Sequence, residues 1–179
     1  MDLKHGNALL RKLKLEDAKF VTEMTRDANL RHFTGTAREF SLAEVESLLV
    51  KFLEDDSRLP LVIVDIHSGK LVGDVTLKDI DGDTKSAHVR IAIAKAELYG
   101  KGYARNAMIA LLEYSFHELE LNRIELEVFS FNERAIRLYK SLGFVEEGRK
   151  RQAYRDEHGL LHDVVLMSIL ACEWPLKIA

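Results

Sequence analysis

Apolar and polar positions along the chain follow two periods, and each switch between them marks a change of element. In residues 15–26 and 42–53, apolar side chains recur every three to four positions, which predicts two helices with one buried side each. The second helix is preceded by Ser41, and Glu44 completes a capping box. After a short apolar run at residues 8–13, three β-rich runs predict an antiparallel meander: residues 61–66, 71–77 and 88–94.

The second half of the chain adds a helix between two strands and then a hairpin. Residues 100–119 return to the helical period and are followed by a strand at 124–129, so a right-handed parallel crossover is expected. A fourth helix at 132–142 ends at Gly143-Phe144, and residues 144–154 and 163–170 predict a closing hairpin. The expected fold is α/β (α+β): a mixed seven-stranded sheet with about four helices on its faces.

Length and composition predict one folded domain that covers residues 1–179. Apolar residues make up 47% of the chain and charged residues 31%, and no linker or repeat divides the 179 residues. Lys and Arg number 26 against 29 Asp and Glu, a net charge of −3. Because no positive excess is present to neutralise phosphates, we expect no nucleic-acid partner.

The cysteine and the N-terminus bear on location. Cys172 is the only cysteine, which fits a reducing compartment, so we expect a cytoplasmic protein. No apolar run approaches the ~18 residues of a membrane span, and Asp2, Lys4 and His5 stand where a signal peptide would become apolar. We therefore expect no export and no membrane partner. The histidines form no HxxxH pair on one helix, so we also expect no metal site.

The sharpest local signal is a glycine-rich turn between a predicted strand and the long predicted helix. It reads Tyr99-Gly100-Lys101-Gly102-Tyr103-Ala104. Glycines let the backbone approach a ligand closely, and a helix N-terminus carries partial positive charge, so such a turn suits a pyrophosphate. An ordinary βα turn is the alternative. The spacing matches neither a Rossmann fingerprint nor a P-loop.

This turn and a second motif resemble those of the GNAT superfamily of acetyl-CoA-dependent N-acetyltransferases. The turn is similar to the family's pyrophosphate loop, although Tyr99 stands where Gln or Arg is usual. The second motif, similar to NxxAxxLYxxxGF, is Asn132-Glu133-Arg134-Ala135-Ile136-Arg137-Leu138-Tyr139-Lys140-Ser141-Leu142-Gly143-Phe144. The tail also looks like the branch with ribosomal-protein-alanine and spermidine acetyltransferases. The resemblance implies a three-layer fold with splayed parallel strands 4 and 5, and acetyl-CoA as co-substrate.

The resemblance also implies cofactor contacts. The strand before the loop would lie along pantetheine through Ile91, Ile93 and Ala94, with the Ile93 amide polarising the thioester carbonyl. Residues 99–104 would hold the pyrophosphate. Asn132 is a good helix N-cap and also approaches the cofactor in the family.

Tyr139 is the candidate general acid, because a phenol can protonate a departing thiolate. Its place in the apolar stripe of its helix offers a purely structural alternative. Glu127 is the candidate base, and other groups near the implied cleft remain open for that role: Glu125, Asp74, His88 and Arg90. Three basic side chains on the Tyr139 helix are expected to form a solvated face, with contact to the cofactor's 3′-phosphate as the alternative: Arg134, Arg137 and Lys140.

The resemblance implies the chemical class of the acceptor but not its identity. The resemblance implies transfer to a primary amine of a small molecule, such as a polyamine, amino sugar or amino acid. A protein N-terminal acetyltransferase and a non-catalytic acetyl-CoA sensor are the alternatives. A homodimer is a further hypothesis, with residues 164–169 as an exposed strand edge that pairs between subunits.

Overall fold

The computed structural model describes residues 1–174, within which eight strands and five α-helices form. The strands are β1 Asp2–His5, β2 Ala8–Lys12, β3 Leu59–Asp65, β4 Leu71–Asp81, β5 Ser86–Ile93, β6 Arg123–Phe129, β7 Val145–Arg155 and β8 Leu161–Leu170. The helices are α1 Ala18–Arg26, α2 Ala28–Thr34, α3 Leu42–Glu54, α4 Tyr103–His117 and α5 Glu133–Ser141.

All eight strands join one mixed sheet in the order β1-β2-β3-β4-β5-β6-β8-β7. Neighbouring strands are antiparallel except for β5 and β6, which run parallel because α4 carries the chain across between them. The β5–β6 pairing covers only residues 86–88 against 123–125, so beyond His88 the two strands diverge. The expected splay of two parallel strands is therefore present.

Helices cover both faces of the sheet, which gives three layers. On one face α4 and α5 pack into the main core, where Met108, Leu111 and Ile124 are fully buried. On the other face α1 and α3 bury Ala18, Val45 and Leu49 against β3. Along β5, Val89 and Ile91 face the main core on the α4 side. His88 and Arg90 alternate with them and share the face of Ala92, which packs against Met24 of α1 and Leu30 of α2.

Local caps explain where several helices begin and end. Ser41 and Glu44 form the predicted capping box of α3. Asp27 caps α2 by accepting a hydrogen bond from the Leu30 amide, and Gly35 ends this helix with a φ of 69°. A φ in that region favours glycine because a side chain would meet the backbone.

The structure corrects three expectations about the fold. The sheet has eight strands, not seven, because β1 adds an antiparallel strand beside β2. A short helix, α2, lies in residues 28–34, between the two helices expected at residues 15–26 and 42–53. Residues 164–169 are not an exposed edge, because β8 lies between β6 and β7, and β7 is the outer strand. No helix in the described part of the chain is long and apolar enough to span a membrane.

Candidate active site

The divergence of β5 and β6 opens a cleft of about 620 Å³ between them. Beyond His88, β5 keeps its β4 partner on one side but has no strand partner on the β6 side within residues 1–174. Backbone groups on this edge are free to bind an extended ligand, because a strand edge offers unpaired N–H and C=O groups. The cleft runs from the glycine-rich turn to the α2 side of the sheet.

The glycine-rich turn lies at one end of the cleft and is arranged for an anion. Gly100 and Gly102 have φ values of 74° and 84°, a region that other residues rarely adopt. Gly102 is the N-cap residue of α4 and supplies no side-chain cap. The first N–H groups of α4 therefore lack a protein acceptor among the described residues, and the helix dipole adds positive potential there.

A pair of asparagines holds this turn from behind. The Asn7 side-chain amide donates to the carbonyl oxygen of Lys101 at 2.9 Å, and Asn106 donates to Asn7 Oδ1 at 2.8 Å. Gly6 permits this contact, because a Cβ at Gly6 would lie 2.4 Å from the Asn106 side-chain nitrogen. These two hydrogen bonds hold the Lys101 carbonyl and support the conformation of the turn.

Arg134 supplies a positive charge beside Tyr99, the residue that departs from the family pattern. Its guanidinium lies 3.7 Å from the centre of the Tyr99 ring and also lines the cleft. A cation over an aromatic face is electrostatically favourable. Arg134 is exposed, as expected for a solvated face, and it also borders the cleft, so both interpretations of this side chain stay open. Arg137 remains on the outside, paired with Glu133.

Tyr139 has a buried ring and an accessible hydroxyl. The residue is 8% exposed, and its ring packs 5.7 Å from that of Phe144. Its hydroxyl hydrogen-bonds to no described residue, yet no described side-chain polar atom is both buried and unpaired. Since Tyr139 also lines the cleft, the hydroxyl opens into it. Burial raises the pKa of Tyr139 to about 12, against a smaller opposing effect of the Arg90 charge.

Polar side chains from β5 and β6 line the opposite end of the cleft. His88 Nε2 lies 2.5 Å from Glu125 Oε1, and Arg123 holds the same carboxylate through Oε2. A neutral imidazole that donates through Nε2 leaves Nδ1 as a proton acceptor. Glu127 also lines the cleft, and its carboxylate forms an ion pair with Lys150 of β7.

Taken together, the cleft brings the predicted chemistry into one place. The domain family described as an acetyltransferase (GNAT) domain matches residues 7–145. The chain belongs to the GNAT acetyltransferase family. The protein is therefore an acyltransferase whose parallel-strand splay, glycine-rich turn and α5 motif are those expected from its sequence.

Relatives in the GNAT family support this assignment along nearly the whole chain. The spermidine N(1)-acetyltransferase of Vibrio cholerae is 33% identical over 165 residues, which are 92% of this chain and 94% of that protein. A crystal structure of spermidine N-acetyltransferase from Vibrio cholerae, in complex with CoA and spermine, matches with a TM-score of 0.87 at 32% identity. That match covers 93% of this chain and 97% of the solved one. A putative ribosomal N-acetyltransferase of Bacillus subtilis, YdaF, is 36% identical over 61% of this chain and 58% of its own.

Most of the site residues predicted from sequence line this GNAT cleft. They are Ile91, Ile93, Tyr99, Gly100, Gly102, Tyr103, Ala104, Glu127, Asn132 and Tyr139. Ala94 is buried outside the cleft and its amide donates to Val72, while Lys101 is exposed and contributes its carbonyl to Asn7. Asn132 caps α5 as predicted, accepting from the Ala135 amide at 3.2 Å. Their roles toward a ligand stay predictions.

The sequence did not point to Asn7, and it offered Arg134 only as one of three basic residues that could meet a cofactor phosphate. Asn7 lies 94 positions before Lys101, and no local pattern links the two. Arg134 was visible inside the α5 motif, but only the fold brings it over Tyr99. The signal that could have singled out Arg134 was Tyr99 itself, because it stands at the start of the loop where Gln or Arg is usual.

Proposed function

We propose that this protein moves an acetyl group from acetyl-CoA directly to a primary amine of a small molecule, with both substrates bound at once. The observation that carries the proposal is the convergence of three features on one cleft. They are the open amides after Gly102, the unpaired edge of β5 and the accessible hydroxyl of Tyr139. Donor and acceptor can enter this cleft from its two ends.

The turn and the β5 edge fit the two polar parts of acetyl-CoA. The amides that begin α4 would bind the pyrophosphate, with Arg134 adding charge nearby. The unpaired edge of β5 would bind pantetheine amides, and an amide near Ile93 would stabilise the oxyanion. The only cysteine of the chain, Cys172, is exposed on a turn after β8 and lies outside the cleft, which favours direct transfer over a thioester on the enzyme.

Proton transfer needs an acid near the leaving thiolate and a base near the amine. Tyr139 is the proposed acid, because its hydroxyl is open to the cleft and has no hydrogen-bond partner among the described residues. Glu127 and His88 are both candidate bases. The ion pair with Lys150 occupies Glu127, whereas the Glu125 contact orients His88 through Nε2, and Nδ1 has no hydrogen-bond partner among residues 1–174.

Two matched variants distinguish the candidate bases. His88→Gln and Glu127→Gln should be compared by kcat/KM at pH 7 and pH 9. Loss of the true base lowers activity at pH 7 and is partly rescued at pH 9, because a free amine then forms in solution. A variant with an unchanged profile excludes its residue from the role.

The names of two relatives suggest which acceptors this protein acetylates. Spermidine is the acceptor named for the Vibrio cholerae relative, so a polyamine belongs in the proposal beside amino sugars and amino acids. The partial match to a putative ribosomal N-acetyltransferase supports a protein N-terminus as the second candidate. An open peptide groove is not required for the first class but is required for the second.

The experiment has two readouts. Thermal stability is measured with acetyl-CoA, CoA and no ligand, because a ligand that binds only the native state raises its stability. Release of free thiol from acetyl-CoA is then measured with spermidine, glucosamine, amino acids and N-terminal peptides. Stabilisation with turnover of a small amine supports the proposal. Turnover of peptides alone favours the second candidate, and stabilisation without any turnover favours an acetyl-CoA sensor.

Subunit assembly stays a separate prediction. The outer strand β7 carries the exposed Val145, so a homodimer would use β7 and not β8 as its sheet edge. Light scattering tests this, and a monomer mass would refute it.

A further inference from the structure

A second cavity of about 260 Å³ lies beside the cleft, between α1, α3 and strands β3 and β4. Its walls are mainly apolar and include Met24, Phe40, Leu48 and Phe52. Since one water takes up ~30 Å³, this cavity has the volume of about nine waters. That is enough for the side chain of leucine, methionine or phenylalanine.

The second cavity and the cleft share four wall residues. These are Leu30 and Thr34 of α2, Lys78 of β4 and Arg90 of β5. One small molecule can therefore place an apolar group in the second cavity and a reacting group in the cleft. The shared residues surround the point where its middle would lie.

Arg90 offers an anion site at this junction. Its Nη1 donates to Asp74 Oδ2 at 3.2 Å, and its side chain is 46% exposed. A guanidinium has five N–H donors, and the contact with Asp74 uses one. The remaining donors match the planar, two-point geometry that carboxylates accept. The junction therefore suits a carboxylate.

A polyamine would need carboxylates along the second cavity and the cleft to bind its several ammonium groups. Among residues 1–174, Asp74 is the only acidic residue that lines the second cavity, and Glu127 is the only one that lines the cleft. Arg90 pairs with Asp74, and Lys150 pairs with Glu127. No unpaired carboxylate on this path is left to bind a second ammonium group.

Among the charged wall residues of the second cavity within residues 1–174, four are cations and one, Asp74, is acidic. The four are Arg31, Arg58, Lys78 and Arg90. Three of them have carboxylate partners outside the walls, namely Glu39, Asp55 and Asp79. The walls therefore offer a polycation no carboxylate without a cation partner among residues 1–174, whereas Arg90, whose contact with Asp74 uses one donor, keeps donors for a carboxylate.

We propose that the second cavity binds the side chain of an apolar α-amino acid, with its carboxylate on Arg90 and its α-amine in the cleft. This inference rests on the proposed function and names its acceptor class. In the reaction the amine nitrogen bonds to the thioester carbonyl carbon and the C–S bond breaks. The nitrogen loses a proton to the base, and the thiolate gains one from the acid, which gives an N-acetyl amino acid and CoA.

Thiol release tests the two recognition elements separately. Free L-leucine, L-methionine and L-phenylalanine are compared with glycine, L-leucinamide, spermidine and glucosamine. We expect kcat/KM for leucine to exceed that for glycine by about 10- to 100-fold, the worth of burying such a side chain. We expect leucine to exceed leucinamide at least about 10-fold, because the amide lacks the charge that Arg90 binds.

Three variants locate these effects in the structure. Leu48→Trp fills the second cavity and should erase the preference for leucine over glycine. Val50→Trp is the matched control, because Val50 lies on the same helix, is 41% exposed and lines neither cavity. Arg90→Gln should bring the leucine-to-leucinamide ratio toward one. For each variant, stabilisation by acetyl-CoA reports that the fold and the donor site are intact.

The outcomes separate this inference from the function on which it rests. If acetyl-CoA stabilises the protein but no apolar amino acid releases thiol, the inference is overturned, whether or not spermidine or glucosamine reacts. Equal kcat/KM for leucine and leucinamide, or equal effects of Leu48→Trp and Val50→Trp, also overturn it. If acetyl-CoA neither stabilises the protein nor releases thiol with any acceptor, the proposed function itself fails.

Discussion

Replacing Tyr139 with Phe removes one hydroxyl and leaves the rest of the side chain in place. The aromatic contact with Phe144 at 5.7 Å is kept, and no hydrogen bond to a described residue is lost. The free energy of unfolding should therefore change by less than about 1 kcal/mol, the worth of one ordinary hydrogen bond. Acetyl-CoA affinity should also stay near that of the wild type, because the turn and the β5 edge are untouched.

The effect on turnover follows from the acidity of the phenol. Burial raises the pKa of Tyr139 to about 12, roughly 3.5 units above that of a thiol at about 8.5. Complete proton transfer from the phenol to the free thiolate, after the C–S bond has broken, would be uphill by about 5 kcal/mol at ~1.4 kcal/mol per unit. We therefore expect Tyr139 to act as a hydrogen-bond donor to the developing thiolate. Loss of this hydroxyl should lower kcat about 100-fold, which raises the activation free energy by about 2.7 kcal/mol. That is the low end of the effect expected for a general acid.

The assay is thiol release at saturating acetyl-CoA and amine for the wild type and Tyr139→Phe. Urea unfolding and the stabilisation by acetyl-CoA serve as controls for folding and donor binding. An unchanged kcat would refute the catalytic role and leave Tyr139 as a core residue. Because burial holds the pKa near 12, the wild type should also keep its activity at pH 10; a decrease there that disappears in Tyr139→Phe would contradict the buried setting.

Three further predictions test the donor end and the hairpin. Arg134→Gln should raise the KM for acetyl-CoA several-fold with little change in kcat, whereas Arg137→Gln, outside the cleft on the same helix, should change neither. Asn7→Ala removes two hydrogen bonds behind the glycine-rich turn, so the Kd for CoA measured by calorimetry should rise about 10-fold while kcat is retained. Hydrogen bonds from Arg123, then from Ser168, lower the pKa of Glu147 to about 2, so its ionised form stabilises the fold above about pH 4.3. Urea unfolding should therefore show Glu147→Gln less stable than the wild type at pH 7, and the deficit should shrink as pH falls from about 4.5 to 2; a constant deficit would exclude this linkage.

Sequence alone predicted the parts of the site that depend on local chemistry. The turn at residues 99–104 needs glycines at two positive φ values, and the cap at Asn132 needs a side-chain oxygen, so both leave a mark in the sequence. The crossover through α4 follows from the change of hydrophobic period. These features are specified within a few residues of where they act.

Other parts left no local mark. Strand β1 is four residues long and mostly exposed, so it lacks the apolar alternation that identifies a strand. Helix α2 spans seven residues, too short for a clear period, although Asp27 and Gly35 carry the start and stop signals. The contact of Arg90 with Asp74 joins side chains 16 positions apart across two strands, so it depends on register.

The brief pairing of β5 with β6 divides the sheet into two antiparallel leaves, one of five strands and one of three. Three residue pairs and the α4 connection form the hinge between them, so the leaves depend on each other less than strands within a leaf do. CoA bound between the diverging ends of β5 and β6 would contact both leaves and so couple them across this hinge. Amide hydrogen exchange should then slow along the facing edges of both leaves when CoA binds, and the cooperativity of unfolding should rise with it.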